Sequence, residues 1–177
     1  MRLNFAGLLL LILIAAAAFY AAAPWFAFRS MRDAARTGDI AALAQVIDYP
    51  ALDANFAAEI SGRPIEPPPP SPLSDPVGAL QHMFNPPAPA SPLVERYLEP
   101  QVLAALADGR PPNSPLPAGA AEPFPKVAFW GPDRCRIVVA DPGAPARRTE
   151  FTFQRRGVYS WKLTRIVWPE QIRMRRP

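Results

Sequence analysis

The longest apolar pattern in the chain lies near its N-terminus, where residues 5–28 carry no charged side chain. A helix needs roughly 20 apolar residues to cross the hydrocarbon core of a bilayer, and this stretch is longer. Its C-terminal end is rich in aromatic residues, which favour the headgroup layer of a membrane: Tyr20, Trp25, Phe26 and Phe28. The pattern predicts a transmembrane anchor at residues 1–28, with the lipid bilayer as its partner through residues 5–28.

A cleaved secretory signal peptide would show a similar pattern, since Arg2 supplies a basic start and residues 8–14 supply an apolar run. Cleavage after Ala23 would put Pro24 directly after the scissile bond, where its ring fits an extended protease-bound chain poorly. We therefore expect an uncleaved signal anchor, with cleavage as the alternative. Arg29, Arg32 and Arg36 follow the span. By the positive-inside rule alone, these three positive charges favour a cytoplasmic location for the domain. Long domains cross membranes largely regardless of charge, so we expect an exported one.

Residues 29–61 are predicted to form short amphipathic helices, because apolar positions recur every three or four residues. Gly38 suits the end of the first helix, and Asp39 and Asp48 suit the N-caps of the next two. Pro50 is acceptable in the first turn of the third helix. The predicted apolar faces are Phe28, Met31 and Ala35, then Ile40, Leu43 and Val46 or Ile47, then Leu52, Phe56 and Ile60.

The middle of the chain is rich in proline, with 18 of the 25 prolines between residues 64 and 125. Proline runs adopt an extended conformation, so residues 62–90 are predicted to be a proline-rich surface loop. A ligand for a proline-recognising groove and a lineage-specific insertion both fit it, and we favour the insertion. Residues 91–109 return to a helical pattern, with starts at Pro92 and Pro100 and a C-cap at Gly109. Residues 110–125 are predicted to be a loop.

Residues 126–169 change to the period of two that half-buried strands show, with turns at residues 141–143 and 156–157. The predicted inward positions are Cys135, Ile137 and Val139, then Phe151 and Phe153, then Tyr159, Trp161 and Leu163, then Ile166 and Trp168. This parity slips by one near Thr164 and Arg165, which predicts a β-bulge. The whole pattern predicts an α+β fold: an N-terminal transmembrane helix, short amphipathic helices, and then a C-terminal antiparallel sheet.

Two blocks combine these elements in an unusual spacing: Gly38-Asp39 and Asp48-Tyr49-Pro50-Ala51-Leu52 within residues 23–56, and Arg155-x-Gly157 leading to Trp161-Lys162-Leu163-Thr164 within residues 150–169. Behind an apolar anchor, they resemble domain-of-unknown-function family 2939, a bacterial family of small membrane-anchored proteins. The resemblance implies a small bacterial membrane-anchored protein, and it implies no catalytic residue because the family has no established activity. With one predicted span, we expect a single-pass protein of the bacterial inner membrane. The proline-rich middle departs from the longer helices expected there. The outline is also similar to nuclear-transport-factor-like cones, as a fold analogy.

Side chains suited to catalysis or metal binding are few. His82 is the sole histidine, and no motif frames it as part of a Ser-His-Asp triad. Cys135 and His82 together cannot supply the three or four ligands of a zinc site. The aspartate spacings do not stack carboxylates on one helix face, and no glycine-rich phosphate loop is present. We therefore predict no catalytic, cofactor-binding or metal-binding residue, no cofactor and no enzyme activity; a hydrolase using His82 is a minor alternative.

The charge is divided unevenly along the chain. Residues 126–177 hold 12 basic against four acidic residues, a net charge of +8, whereas residues 1–125 have a net charge of −4. Our leading hypothesis is a non-catalytic, membrane-anchored module with a periplasmic domain, which binds an envelope protein or small ligand between the helices and the sheet. The alternative is a cytoplasm-facing tether whose basic tail, residues 170–177, binds anionic lipid or nucleic acid. Nucleic acid is disfavoured, because the aromatic residues share the predicted core face, and the oligomeric state is not predicted.

Overall fold

The computed structural model describes residues 5–61, 99–112, 114, 123–157 and 160–167. Its elements are α1 (Phe5–Thr37), α2 (Ile40–Val46), α3 (Tyr49–Ser61), α4 (Pro100–Ala107), β1 (Lys126–Trp130), β2 (Arg134–Asp141), β3 (Ala144–Arg155) and β4 (Trp161–Val167). The strands form an antiparallel sheet in the order β1-β2-β3-β4. The predicted α+β class is confirmed. The 62–90 loop, the helix start at Pro92, His82, Tyr159, Trp168 and the 170–177 tail lie outside the described residues.

The anchor and the first amphipathic segment form one continuous helix, where the sequence pattern had suggested two. Pro24 lies inside α1 and is buried, and the helix continues through it to Thr37. A proline in a helix removes one hydrogen bond but does not always end the helix when packing holds the next turn. Here Phe28 and Met31 pack in the core at 0% exposure, which stabilises the turns that follow Pro24.

Helix ends among the described residues follow the predicted capping. Gly38 has a φ of 71°, and the Asp39 carboxylate accepts a hydrogen bond of 2.9 Å from the Ala42 N–H. The Asp48 carboxylate accepts a hydrogen bond from the N–H of Ala51 in the first turn of α3. α4 begins at Pro100. These predictions are confirmed, because capping depends on local backbone geometry that a few residues determine.

The core lies between the helices and one face of the sheet. Alternate residues of β2 and β3 point inward as predicted, and Phe28 of α1 packs edge-on against Phe151 with ring centroids 5.4 Å apart. The largest fully buried side chains are Phe28, Phe151, Phe153, Met31, Leu43, Ile47, Leu103, Leu106, Ile137, Leu163, Val139 and Thr164. One side of the sheet is therefore occupied by packing against the helices.

The predicted bulge is present in β4. Thr152 pairs with Arg165 and Phe153 pairs with Leu163, so Thr164 is the extra residue of the longer strand. The bulge keeps Leu163 and Ile166 on the buried face despite the change of parity. The N–H of Asp48 donates a hydrogen bond of 2.9 Å to the Leu163 carbonyl. The connection between α2 and α3 therefore covers the edge of β4 that is not paired with β3.

The C-terminal ends of α1 and α4 are joined by an ionic cluster. The Asp108 carboxylate accepts hydrogen bonds from the guanidinium groups of Arg36, at 2.7 Å, and Arg110, at 3.2 Å. Gly109 follows with a φ of 69°, and a Cβ there would lie 2.3 Å from the Ala140 carbonyl oxygen. The predicted cap at Gly109 is confirmed, and glycine is also required because α4 ends against β2.

Candidate membrane interface

α1 is exposed along its apolar N-terminal part. Its side chains from Leu8 to Ile14 are between 45% and 60% exposed. Of the helices in the described part of the chain, it is the one long and apolar enough to cross a membrane. A run of large exposed apolar side chains is unfavourable in water and favourable in hydrocarbon, so this part of α1 is the candidate membrane span.

The transition from exposed to buried occurs at Pro24. This is the first buried residue of α1 within its described side chains, and Phe28 and Met31 follow it into the core. Residues 5–24 of a helix extend about 30 Å, which matches the thickness of a bilayer's hydrocarbon core. The folded domain therefore begins where a span of this length would end, with no linker between them.

Trp130, at the end of β1, is bonded directly to α1. Its indole Nε1–H donates a hydrogen bond of 3.1 Å to the carbonyl oxygen of Ala21. One residue earlier, the Tyr20 carbonyl has lost its usual helical donor, because Pro24 has no N–H. The indole thus attaches the sheet to the helix within one turn of Pro24.

Arg155 attaches the end of β3 to the same turn of α1. Its guanidinium carbon lies 4.0 Å from the centroid of the Tyr20 ring and 4.7 Å from that of Trp161, which are cation–π distances. Its Nε also donates a hydrogen bond of 2.6 Å to the Pro132 carbonyl. Arg155 is only 4% exposed, and the neighbouring Arg156 bonds the Asp48 carboxylate at 2.7 Å, so both arginines have partners within the fold.

Exposed aromatic side chains surround this junction. The most exposed are Phe19 at 61%, Phe26 at 52%, Phe124 at 78%, Phe129 at 39% and Trp130 at 45%. The Phe124 ring lies 6.1 Å from that of Trp25, and the Arg134 guanidinium lies 5.0 Å from the Phe129 centroid. These aromatics are the side-chain type that membranes concentrate at the headgroup layer.

Of the residues predicted to form an aromatic belt, Phe26 is exposed, whereas Phe28 is fully buried in the core and is not available to headgroups. Phe124, Phe129 and Trp130 were missed because they are distant in sequence and reach α1 only through the tertiary fold. The sequence itself contains one signal that β1 does not face water on its outer side. β1 has apolar residues at consecutive positions 127–130 and no alternation, which is unusual for an edge strand that faces water.

Cys135, Asp39 and Asp48, which were weighed for chemistry, have structural roles. Cys135 is fully buried, and desolvation by that burial raises its thiol pKa from 9.0 to about 11. Asp39 and Asp48 serve as helix caps. In the described ranges, no group of three His, Cys, Asp or Glu side chains is arranged to hold a metal ion. His82 lies outside those ranges, so the sequence-based statements about His82 stay predictions.

These features define a class of small proteins in which one long apolar helix continues into the core of an α+β domain. The chain belongs to the family described as "Protein of unknown function (DUF2939)", which it matches over residues 13–106. The family prediction is confirmed, and the match runs from the exposed part of α1 to α4. Neither a curated protein nor a solved structure matches the chain, so the likeness to nuclear-transport-factor-like cones stays a prediction.

Proposed function

We propose that the protein is an uncleaved, single-pass protein of the bacterial inner membrane, whose periplasmic α+β domain binds a partner in the cell envelope. The observation that carries the proposal is the division of α1 at Pro24. Residues 7–19 of α1 are apolar and exposed, whereas Phe28 and Met31 after Pro24 belong to the domain core. One helix therefore serves two environments, and the domain is held at the membrane surface.

Contacts across the potential cleavage site support the uncleaved form. Cleavage after Ala23 would remove Tyr20, which stacks on Arg155, and Ala21, which accepts the Trp130 hydrogen bond. It would also leave a charged amino group on Pro24, which is buried. Burial of an unpaired charge is costly, so a cleaved chain would have a less stable domain than the intact one.

The roles of the arginines after the span support a periplasmic domain. Arg32 is 7% exposed and lies within the fold, and Arg36 bonds Asp108. Packing thus accounts for two of the three arginines that favoured a cytoplasmic placement. A signal-like N-terminus normally directs export, and we give it the greater weight.

The outer face of the sheet is the surface we propose for the partner. The face between the helices and the sheet, where we expected from the sequence that an envelope protein or small ligand would bind, holds the hydrophobic core in the described residues. The opposite face is partly exposed, and its charged residues in β2, β3 and β4 are mainly basic: Arg134, Arg136, Arg148, Lys162 and Arg165, with Glu150. An acidic protein surface in the envelope would be complementary to this face.

The anchor and its orientation are tested on the full-length chain in bacterial membranes. We expect the protein to resist alkaline carbonate extraction and to keep the mass of the uncleaved chain. Fusion of its C-terminus to alkaline phosphatase should give activity, and fusion to a cytoplasm-restricted fluorescent protein should give none. Carbonate release or loss of residues 1–23 would refute the anchor. The opposite reporter result would refute the orientation and make residues 170–177 the first target.

Partner binding is tested by photo-crosslinking from the proposed face. A photoreactive residue in place of Thr152, on the outer face, should crosslink to one envelope protein, whereas the same residue in place of exposed Gln45 on α2 should not. Arg136→Gln should reduce the Thr152 crosslink because it removes one of the basic groups. Equal crosslinking from both positions, or no effect of Arg136→Gln, would contradict the proposal.

A further inference from the structure

One edge of the described sheet is apolar on both faces. We call it the β1 flank, and its members are Phe124, Val127, Phe129 and Trp130. Val127 pairs with Ile137, and Trp130 pairs with Cys135, so these two side chains point to the core face of the sheet. They are nevertheless 49% and 45% exposed, whereas Ile137 and Cys135 are fully buried. The apolar surface of the sheet thus extends beyond the part that the helices cover.

Both ends of the β1 flank contact the same turn of α1. Trp130 bonds the carbonyl of Ala21, and the Phe124 ring packs near Trp25. Four helical residues rise about 6 Å along the axis, so the two contacts bracket Pro24 within that distance. The headgroup layer of a bilayer is itself roughly 5–8 Å thick on each side. If the hydrocarbon ends near Pro24, the whole β1 flank lies at the depth of this layer.

The side chains of the β1 flank suit that depth. Aromatic rings, and the indole of tryptophan above all, favour the boundary between hydrocarbon and headgroups. The nearest exposed charged residues in β1 and β2 are Lys126, at the start of β1, and Arg134, at the start of β2. Their cationic groups can reach lipid phosphates while their aliphatic stems cover apolar surface. Half-exposed Asp133 is paired with Arg155 at 3.9 Å.

From this position and chemistry we infer that the β1 flank rests in the headgroup layer of the bilayer that α1 spans, with the lipid surface as its partner. The inference rests on the proposed anchoring by α1 and goes beyond it. An anchor alone would hold the domain near the membrane, whereas contact along β1 fixes which edge of the sheet faces the lipid. The outer face of the sheet away from β1 then remains free for a protein partner.

The test uses the full-length chain with Cys135→Ala, reconstituted in phosphatidylcholine vesicles and labelled with a nitroxide at one cysteine at a time. The flank is probed by Phe124→Cys and Val127→Cys. The matched control is Ala146→Cys. Ala146 is exposed on β3, and its distance from Arg155 along the strand is about 30 Å. We expect flank labels to collide with lipid-soluble oxygen more than with an aqueous nickel chelate. Accessibility to the chelate should be several-fold lower at the flank than at residue 146.

A label at Leu11→Cys, within the span, separates the two proposals. If Leu11 is in lipid and the flank labels match residue 146, the flank inference is overturned and the anchor stands. If Leu11 itself is accessible to the chelate, the anchor fails and the inference fails with it. Flank labels shielded from both reagents would indicate protein cover and also overturn the lipid assignment.

A second variant tests the assignment by changing the polarity of the flank while the label position stays the same. Val127→Asp places a carboxylate where we assign lipid, so the label at Phe124 should become several-fold more accessible to the chelate while the label at Leu11 does not change. Ala146→Asp is the control and should leave both labels unchanged. An unchanged Phe124 label in the Val127→Asp chain would contradict the inference.

Discussion

The side-chain amide of Asn55 donates a hydrogen bond of 2.8 Å to the backbone carbonyl of Thr164. Thr164 is the extra residue of the bulge in β4, and such a residue lacks a regular hydrogen-bonding partner on the neighbouring strand. Buried backbone groups need a hydrogen-bond partner, and a side chain of α3 supplies it here. Helix and bulge are therefore mutually dependent, since α3 satisfies the bulge and the bulge orients β4 toward the core.

Removal of this hydrogen bond should destabilise the domain. We expect Asn55→Ala to lower the free energy of unfolding by about 1 kcal/mol, because the unsatisfied carbonyl costs more than the helix gains from alanine. Urea unfolding of the full chain in detergent micelles, followed by circular dichroism, measures the change. Gln45→Ala at an exposed site of α2 is the control and should be neutral or slightly stabilising. Equal effects of the two substitutions would contradict the role given to Asn55.

Gly38 and Gly109 form a matched pair with nearly the same backbone conformation. Their φ values are 71° and 69°, but a Cβ at residue 38 meets open space, whereas one at residue 109 would lie 2.3 Å from the Ala140 oxygen. Gly38→Ala should cost about 1 kcal/mol for the left-handed backbone alone. Gly109→Ala should cost roughly 1–3 kcal/mol more, because α4 must move away from β2. Comparable unfolding midpoints for the two variants would disprove the close approach.

The ionic cluster at Asp108 should contribute more than an exposed ion pair. Asp108 has a side chain only 6% exposed and bonds both Arg36 and Arg110. Asp108→Asn keeps the shape but removes the charge, and we expect a loss of about 2 kcal/mol from two weakened charge-assisted bonds. The control is Glu150→Gln, which breaks the exposed pair with Arg136 and should cost at most about 0.5 kcal/mol. Thermal unfolding should therefore shift clearly only for Asp108→Asn.

Cys135 should make stability depend on pH in the alkaline range. Its burial raises the thiol pKa from 9.0 to about 11, so below pH 9 the thiol is neutral in both states and contributes nothing. Between pH 9 and about 11 the unfolded chain ionises first, so the free energy of unfolding falls as pH rises. Cys135→Ala should lose this part of the decline. Urea unfolding of both chains at pH 8 and 10.5 measures it, and parallel declines would refute the assignment.

Sequence patterns predicted those features that a few neighbouring residues determine. Asp39 and Asp48 cap their helices, and the parity change near Thr164 required a bulge, whatever the rest of the chain does. The continuity of α1 was not predictable, because Pro24 is tolerated only through packing that distant strands supply. The same holds for the candidate membrane interface. Trp130 meets Ala21 across 109 positions of sequence, and no local pattern encodes that contact.

Under the proposed anchoring, the uninterrupted passage of α1 through Pro24 makes bilayer thickness a determinant of the domain's orientation. A helix that is too long for a thinner bilayer tilts to keep its apolar length in hydrocarbon. A flexible linker would absorb such a tilt, but Phe28 and Met31 bind the same helix to the sheet. Any tilt of the span is thus transmitted to the whole domain. A single residue inserted into α1 between the span and the core would rotate the domain by about 100° around the helix axis.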